Sequence, residues 1–268
     1  MNTPLLGLDG KAVIVALDHA LYSGQIPPLD QPGTLLNQLL KEHPDGLIVT
    51  RGIQQLIPLS YRGQRWLTVD YYGTSVLPGQ SDTLELQAPL WSPKTARAFG
   101  ATGLKTLLVF GRVNHEVYLQ NVQYVAKLVS EAYDVGLPVM VEPVLWGSRI
   151  PQEQQGDDAL VAHATRIAFE LGADCIKIPI PNNPGILEAL TRALPIPIVL
   201  MGGPITDPAN LFSLIRSSLD AGAAGVALGR NVWHHPNPAA MVAALNELVH
   251  HNARSKHALE MLGAGDSL

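Results

Sequence analysis

Eight short, almost uninterrupted apolar runs recur along this chain at spacings that leave room for a helix between most of them, and few folds accommodate that pattern. They are Ala12 to Leu17, Gly46 to Val49, Leu67 to Val69, Leu107 to Phe110, Val139 to Glu142, Cys175 to Ile178, Ile198 to Met201 and Val226 to Leu228. A strand with one wet face alternates apolar and polar residues, whereas these runs are mostly continuous, as in parallel strands covered on both sides. Helical patterns fall between them, over Thr34 to Glu42, Ser92 to Phe99, Glu116 to Val135, Asp157 to Leu171, Pro184 to Leu194, Pro208 to Ala221 and Pro238 to Asn252. The last three open with proline, which suits a first helical turn. Phe99-Gly100, Val135-Gly136, Leu171-Gly172 and Ala221-Gly222 read as glycine C-caps before the next strand. The expected architecture is a TIM (β/α)8 barrel forming one domain over residues 1–253, with a loosely ordered tail at 254–268. A doubly wound open sheet is the competing fold. Against it, the first run leads into Asp18-His19-Ala20 instead of a glycine-rich dinucleotide fingerprint. Tyr71 to Trp91, polar and rich in Gly, Ser and Pro, predicts a long loop or a hairpin.

A hydrophobic fraction of 47% in 268 residues is enough for one large core. Cys175 is the only cysteine, so no intrachain disulfide forms, and a reducing cytoplasm is the expected compartment. No apolar run is long enough to span a bilayer, and the first one ends at Asp18-His19 with no basic lead before it, so neither a membrane partner nor a targeting segment is expected. The net charge of -5 comes without basic tracts, which argues against nucleic acid and leaves a small molecule as the expected ligand.

In a (β/α)8 barrel the C-terminal strand ends share one mouth, where the chemistry sits. Here those ends carry Asp18 and His19, Arg51, Asp70, Glu142, Lys177, Gly202-Gly203 and Gly229-Arg230. Lys11 and Lys105 are expected at the N-terminal ends of their strands, and Lys41, Lys94, Lys127 and Lys256 on helices or the tail, which leaves Lys177 as the lysine placed for catalysis. Strand alternation sends Lys177 inward with Cys175 while Ile176 and Ile178 pack beneath helices. Such an ammonium loses solvation, which favours the neutral, nucleophilic amine. Glu142 is suited to acid/base work, and Asp18 to orienting the amine and a substrate hydroxyl. The structural alternative is a plain ion pair between Lys177 and one of these carboxylates. The glycines at 202, 203 and 229 allow backbone N–H groups to approach a phosphate, and Arg230 adds a charge-assisted contact. An amine beside phosphate grips points to Schiff-base chemistry on a phosphorylated carbonyl compound. His19, Arg51 and Trp146 are further candidates for substrate contact, Trp146 as a pocket wall. His234-His235 and His250-His251 lack zinc-type spacing, and no catalytic metal or other cofactor is expected.

Leu17-Asp18-His19, Gly136-Leu137-Pro138, Gly172-Ala173-Asp174 leading to Lys177, Gly202-Gly203-Pro204 and the run from Ala221 to Asn231 together resemble the DeoC/LacD superfamily of class I aldolases, in particular its archaeal-type (DhnA-like) fructose-bisphosphate aldolase branch. The resemblance implies a Schiff base at Lys177, an active-site carboxylate at Asp18, a phosphate site at Gly202, Gly203, Gly229 and Arg230, and a ring-shaped homo-oligomer such as a decamer. It implies a lyase that cleaves or forms a phosphorylated ketose, with dihydroxyacetone phosphate as the shared fragment. One motif departs. Where archaeal-type aldolases carry Tyr-Pro-Arg-Gly after the fifth strand, with the tyrosine as proton donor, this chain reads Val144-Leu145-Trp146-Gly147. Val141-Glu142-Pro143-Val144 instead resembles the corresponding strand of tagatose-bisphosphate and sulfosugar-phosphate aldolases. The departure leaves two alternatives to a simple aldolase: a Schiff-base thiolase or transaldol-type synthase acting on a phosphorylated dicarbonyl, and a sugar-phosphate-binding barrel without turnover.

Overall fold

The computed structural model of the protein describes residues 5–73 and 85–265. Eight parallel strands close into a barrel: β1 (Ala12–Ala16), β2 (Gly46–Val49), β3 (Gln64–Thr68), β4 (Gly103–Val109), β5 (Val139–Val144), β6 (Cys175–Pro179), β7 (Ile198–Met201) and β8 (Gly225–Leu228). Each pairs with its chain neighbours, and β1 with β8 completes the ring through Ala12 opposite Gly225 and Val15 opposite Leu228. All eight predicted runs are strands of this barrel, and the TIM architecture follows from them. The boundaries moved most at β3 and β4, whose strands begin three and four residues earlier than the apolar runs Leu67 to Val69 and Leu107 to Phe110.

Alternation along the strands divides the interior into two separate hydrophobic clusters. Val13, Val15, Val139, Val141, Ile176 and Ile178 point outward to the helices, whereas Ala12, Ile14, Ala16, Ile48, Trp66, Met140, Cys175, Val199 and Ala227 fill the barrel. Trp66, wholly buried, occupies much of the floor. Above it a third group, Tyr72, Leu107, Val109 and Val144, lines the mouth, with Tyr22, Trp146 and Met201 packed against it. Helix starts follow the expected chemistry: Ser92, Asn114, Asp157, Asn183, Asp207 and Asn237 each accept an amide of the first turn.

Of the two forms expected for the stretch after β3 the structure takes one, and the tail resolves differently. The polar stretch after β3 is a hairpin, Asp70–Gly73 antiparallel to Leu86–Pro89, inserted between β3 and β4; residues 74–84 of it lie outside the described residues. The expected loose tail is instead a helix, Ser255–Gly265, held by burial of Ala258 and Leu262 in the outer core. An apolar pair at i and i+4 shares one helix face, and that face supplies the packing which a polar composition hid.

Carboxylates brace the N-terminal rim. Asp45, just before β2, accepts the Val13 amide of β1 at 2.7 Å, and Asp174, just before β6, accepts the Val139 amide of β5 at 2.8 Å. His250 bridges Asp9 (Nδ1 to Oδ2, 2.9 Å) and Asp45 (Nε2 to Oδ2, 2.8 Å), and these hydrogen bonds, that to Asp45 foremost, raise its pKa to about 9. A folded-state pKa above the unfolded value near 6.5 adds stability that is full below about pH 6.5 and fades as pH rises through 9. His250→Gln is therefore expected to cost about 1–2 kcal/mol near pH 6, after allowance for solvent screening. Urea unfolding at a series of pH values should show the gap to the parent protein closing toward pH 10.

Candidate active site

Four charged side chains meet inside the barrel. Asp18 follows β1, Lys105 lies on β4, Glu142 on β5 and Lys177 on β6, and each is only 1–5% exposed. Glu142 is shared by two ammonium groups, Oε1 standing 3.0 Å from Lys177 Nζ and Oε2 2.9 Å from Lys105 Nζ. Lys105 also reaches Asp18 Oδ2 at 3.2 Å, and Thr68 donates its hydroxyl to the same oxygen at 2.8 Å. Two anions and two cations thus compensate one another where water could not.

Burial by itself would push both carboxyls up, but the lysines outweigh it. Lys105, then His19 and Lys177, hold Asp18 well below the usual carboxylate range, and Lys105 followed by Lys177 depresses Glu142. Burial works against the charge on Lys105 too, yet Asp18 and Glu142 carry its pKa well above that of a free lysine. Asp18 and Glu142 are therefore ionised and Lys105 is protonated at neutral pH.

Lys105 corrects the expectation that placed it at the N-terminal end of its strand. Because β4 begins at Gly103, Lys105 is inside the barrel, paired with Met140, whereas Leu107 is the residue level with Glu142. Its aliphatic stem climbs one interior layer to bring the ammonium under the two carboxylates. Lys177 starts level with the cluster, since Cys175 pairs with Met140 two residues earlier. The ion pair foreseen for Lys177 also forms, to Glu142. Asp18 is bonded to Lys105 and not to Lys177.

The hairpin contributes a phenol. Tyr72 accepts from Lys105 Nζ at 3.3 Å, donates to Asp18 Oδ2 at 3.5 Å, and lies with its ring 4.9 Å from the Lys105 ammonium. Asp70, expected at the mouth, instead anchors the root of the hairpin by accepting from the Thr106 hydroxyl, the Leu107 amide and Gln87. Its desolvation raises its pKa.

His19 lines the rim beside Asp18, its ring edge-on to Trp233 at 5.4 Å and near Tyr22. Burial lowers its pKa to about 4, so it is neutral. Gly229 passes so close that a Cβ there would lie 2.5 Å from His19 Cε1, which only glycine avoids. The β7 and β8 loops are tied together by Asn231, whose Nδ2 donates to the carbonyls of Gly202 (3.1 Å) and Pro204 (3.0 Å) and whose Oδ1 accepts from the Thr206 amide. Gly203 adopts a left-handed φ of 62°, and Arg230 is exposed just after Gly229. These four expected phosphate contacts thus lie on two loops joined by one asparagine. Trp146 packs into the wall with Tyr22, Tyr72 and Met201. Arg51 is not brought to the cluster: its guanidinium stacks 4.1 Å over Phe99. Among the described residues no set of His, Cys, Asp and Glu side chains is arranged to hold a metal.

Lys105 and Asn231 are the members that sequence reasoning missed, and Tyr72 is one of three tyrosines, with Tyr71 and Tyr118, among which spacing does not choose. An unpaired lysine inside an apolar run was the available signal for the first, had the strand been started at Gly103. For Asn231 it was the asparagine ending the Gly229-Arg230-Asn231 motif.

Comparison with known proteins gives the family. The sequence model of the DeoC/LacD family of aldolases matches residues 12–235. A class 1 fructose-bisphosphate aldolase of Halobacterium salinarum is 30% identical over 258 residues, covering 94% of this chain and 95% of its own. A 2-amino-4,5-dihydroxy-6-oxo-7-(phosphonooxy)heptanoate synthase of Streptomyces griseus is 28% identical over 255 residues, covering 95% of this chain and 90% of its own. The crystal structure of an archaeal fructose 1,6-bisphosphate aldolase superposes with a TM-score of 0.81 at 25% identity, over 92% of this chain and 96% of that one.

Lys105→Met would leave two buried carboxylates with one amine between them, an imbalance expected to cost about 3–5 kcal/mol at pH 7. Both carboxyls have depressed pKa values in the parent, so their stabilising contribution is present above the unfolded value near 4 and is lost as pH falls. Chemical denaturation at pH 7 and at progressively lower pH should therefore show the parent's advantage over the variant narrowing as pH falls below about 4.

Proposed function

The chain belongs to the DeoC/LacD family of class I aldolases, and we propose that it makes or breaks a carbon–carbon bond in a phosphorylated ketose through a Schiff base on Lys177. The observation that carries this reading is the single carboxylate, Glu142, held between Lys177 at 3.0 Å and Lys105 at 2.9 Å inside the barrel. A nucleophilic amine must first lose its proton, and Glu142 is the acceptor within hydrogen-bond reach. Lys105 stays charged and keeps Glu142 and Asp18 ionised at rest, so that Glu142 is ready to accept a proton.

In the cleavage direction the neutral amine attacks the substrate ketone, and Glu142 passes the proton it took from Lys177 to the departing hydroxyl, so that loss of water from the carbinolamine gives an iminium ion. That cation draws electrons from the bond to be broken, while Glu142 accepts the proton of the neighbouring hydroxyl. The aldehyde half departs and leaves an enamine, which protonation and hydrolysis release as the second product. Neutral His19 and ionised Asp18 border this region and are suited to binding substrate hydroxyls.

Dihydroxyacetone phosphate is the proposed shared fragment. Fructose bisphosphate and the phosphonooxyheptanoate named for the two relatives both contain a ketone next to a carbon that bears a phosphate. Its phosphate is assigned to the Gly202, Gly203, Gly229 and Arg230 loops, where glycine backbone and an exposed guanidinium are suited to an anion. Trp146 and the aromatic wall beside it face the aldehyde half.

Borohydride reduction with a panel of ketose phosphates and with dihydroxyacetone phosphate, followed by peptide mass analysis, tests the proposal. The expected outcome is an adduct on Lys177, lost together with turnover in Lys177→Arg. An adduct on another residue, or full turnover by the variant, would refute it.

A further inference from the structure

The reaction needs a proton for the enamine carbon, and Glu142, which gains one in cleavage, is held between two lysine amines that disfavour its acid form. Lys105 holds protons but is bound by two carboxylates and a phenol at once. Thr68 donates to Asp18, and its alkoxide would be far too basic to form. Of the phenols in the mouth, Tyr72 is the one hydrogen-bonded into the cluster, to Lys105 and Asp18. We infer that Tyr72, carried into the barrel mouth by the hairpin between β3 and β4, is the acid that protonates the Lys177 enamine; this rests on the Schiff-base reading above.

The surroundings of the ring favour that assignment. Tyr72 is 3% exposed and belongs to the uppermost interior layer, together with Leu107, Val109 and Val144. The ring of Tyr22 lies 4.9 Å from it, and Trp146 and Met201 close the same layer. Met201 lies beside the Lys177 strand, opposite Pro179. The charged groups facing Tyr72 are Asp18, Lys105 and, further off, Glu142, with the phenol of Tyr22 beside them. Burial and Asp18 keep the phenol protonated at rest, against the pull of Lys105, so it is a stored proton and not a stored charge. The hairpin is fixed at both strands: Asp70 binds Thr106 and Leu107 of β4, and Glu85 accepts from the Val113 amide and from the amide and hydroxyl of Ser148. An insertion clamped to the loops after β4 and β5 delivers one aromatic hydroxyl to the cluster.

The step balances. The Tyr72 O–H bond breaks as a C–H bond forms at the enamine carbon, and the nitrogen becomes an iminium. The phenolate that remains lies 3.3 Å from the Lys105 ammonium, which compensates its charge. Water then hydrolyses the iminium to the ketone, and the proton left on the Lys177 amine restores the phenol. In this chain Trp146 occupies the loop after β5, and Gly147 is packed so tightly that a Cβ would lie 2.1 Å from the Gly111 carbonyl carbon. That loop is therefore committed to the wall, and the proton comes from across the mouth.

Tyr72→Phe removes one oxygen and leaves the ring in place. With dihydroxyacetone phosphate as the probe, deuterium uptake from heavy water at the carbon alpha to the carbonyl is expected to fall about 100-fold or more, while the borohydride-trapped adduct on Lys177 forms at the parent's yield. Exchange within about threefold of the parent, or a parallel loss of adduct and exchange, would overturn the inference by making Tyr72 dispensable or merely structural. Failure of the parent itself to form the adduct would instead remove the Schiff-base reading, and this inference with it. Should the phenylalanine protein not fold, replacement of Tyr72 by 3-fluorotyrosine keeps the ring and makes the phenol more acidic. The exchange rate at neutral pH should then differ from the parent's by about threefold or more with the Lys177 adduct yield unchanged, and an unchanged rate would count against the proposal.

Discussion

A carboxylate clamped between two ammonium groups is the interaction on which this site depends. Glu142 cannot be ionised in the barrel interior unless cations surround it, and neither lysine can be charged there unless an anion does. Asp18 makes the count even. The arrangement divides labour between two residues of the same type. Lys105, held by Asp18 and Glu142 together, is a fixed countercharge, while Lys177 has Glu142 as its ion-pair partner and stands level with it in the barrel.

The barrel makes such a cluster feasible because strand alternation separates the two kinds of core. The outer core, between strands and helices, is mainly apolar, and it includes the face of the C-terminal helix through Ala258 and Leu262. The inner core changes character with height: a dry floor around Trp66 and Met140, then the four charges, then an aromatic and aliphatic rim. Charges placed between two apolar layers feel one another strongly and are shielded from salt. The loops above are likewise fastened by side chains, Asn231 on the side of β7 and β8 and Glu85 on the hairpin side.

Much of this was legible in the residues. The eight apolar runs were enough for the barrel, since continuous runs bounded by capped helices have few other solutions. Lys177, Glu142 and Asp18 were legible because polar residues within or directly after such runs stand out. Lys105 was passed over for a local reason: its strand was started at Leu107, and a lysine before a strand is ordinary, whereas one inside it is not. Tyr72 could not be read from spacing, because the register of an inserted hairpin is set by what it packs against. The tail was misjudged because one buried alanine and one buried leucine are a faint signal in a polar stretch.

The sequence by itself determined the architecture, the inward direction of Lys177 and the kind of chemistry the strand ends carry. Each follows from periodicity and from the position of residues relative to nearby strand ends. Tertiary structure decided the partners: that Glu142 serves two lysines, that Asp18 answers Lys105, that a phenol from a hairpin joins them and that Arg51 turns away to Phe99. Those pairings depend on how far a side chain climbs from its own layer and on the stagger between neighbouring strands, and both quantities exist only once the sheet has closed.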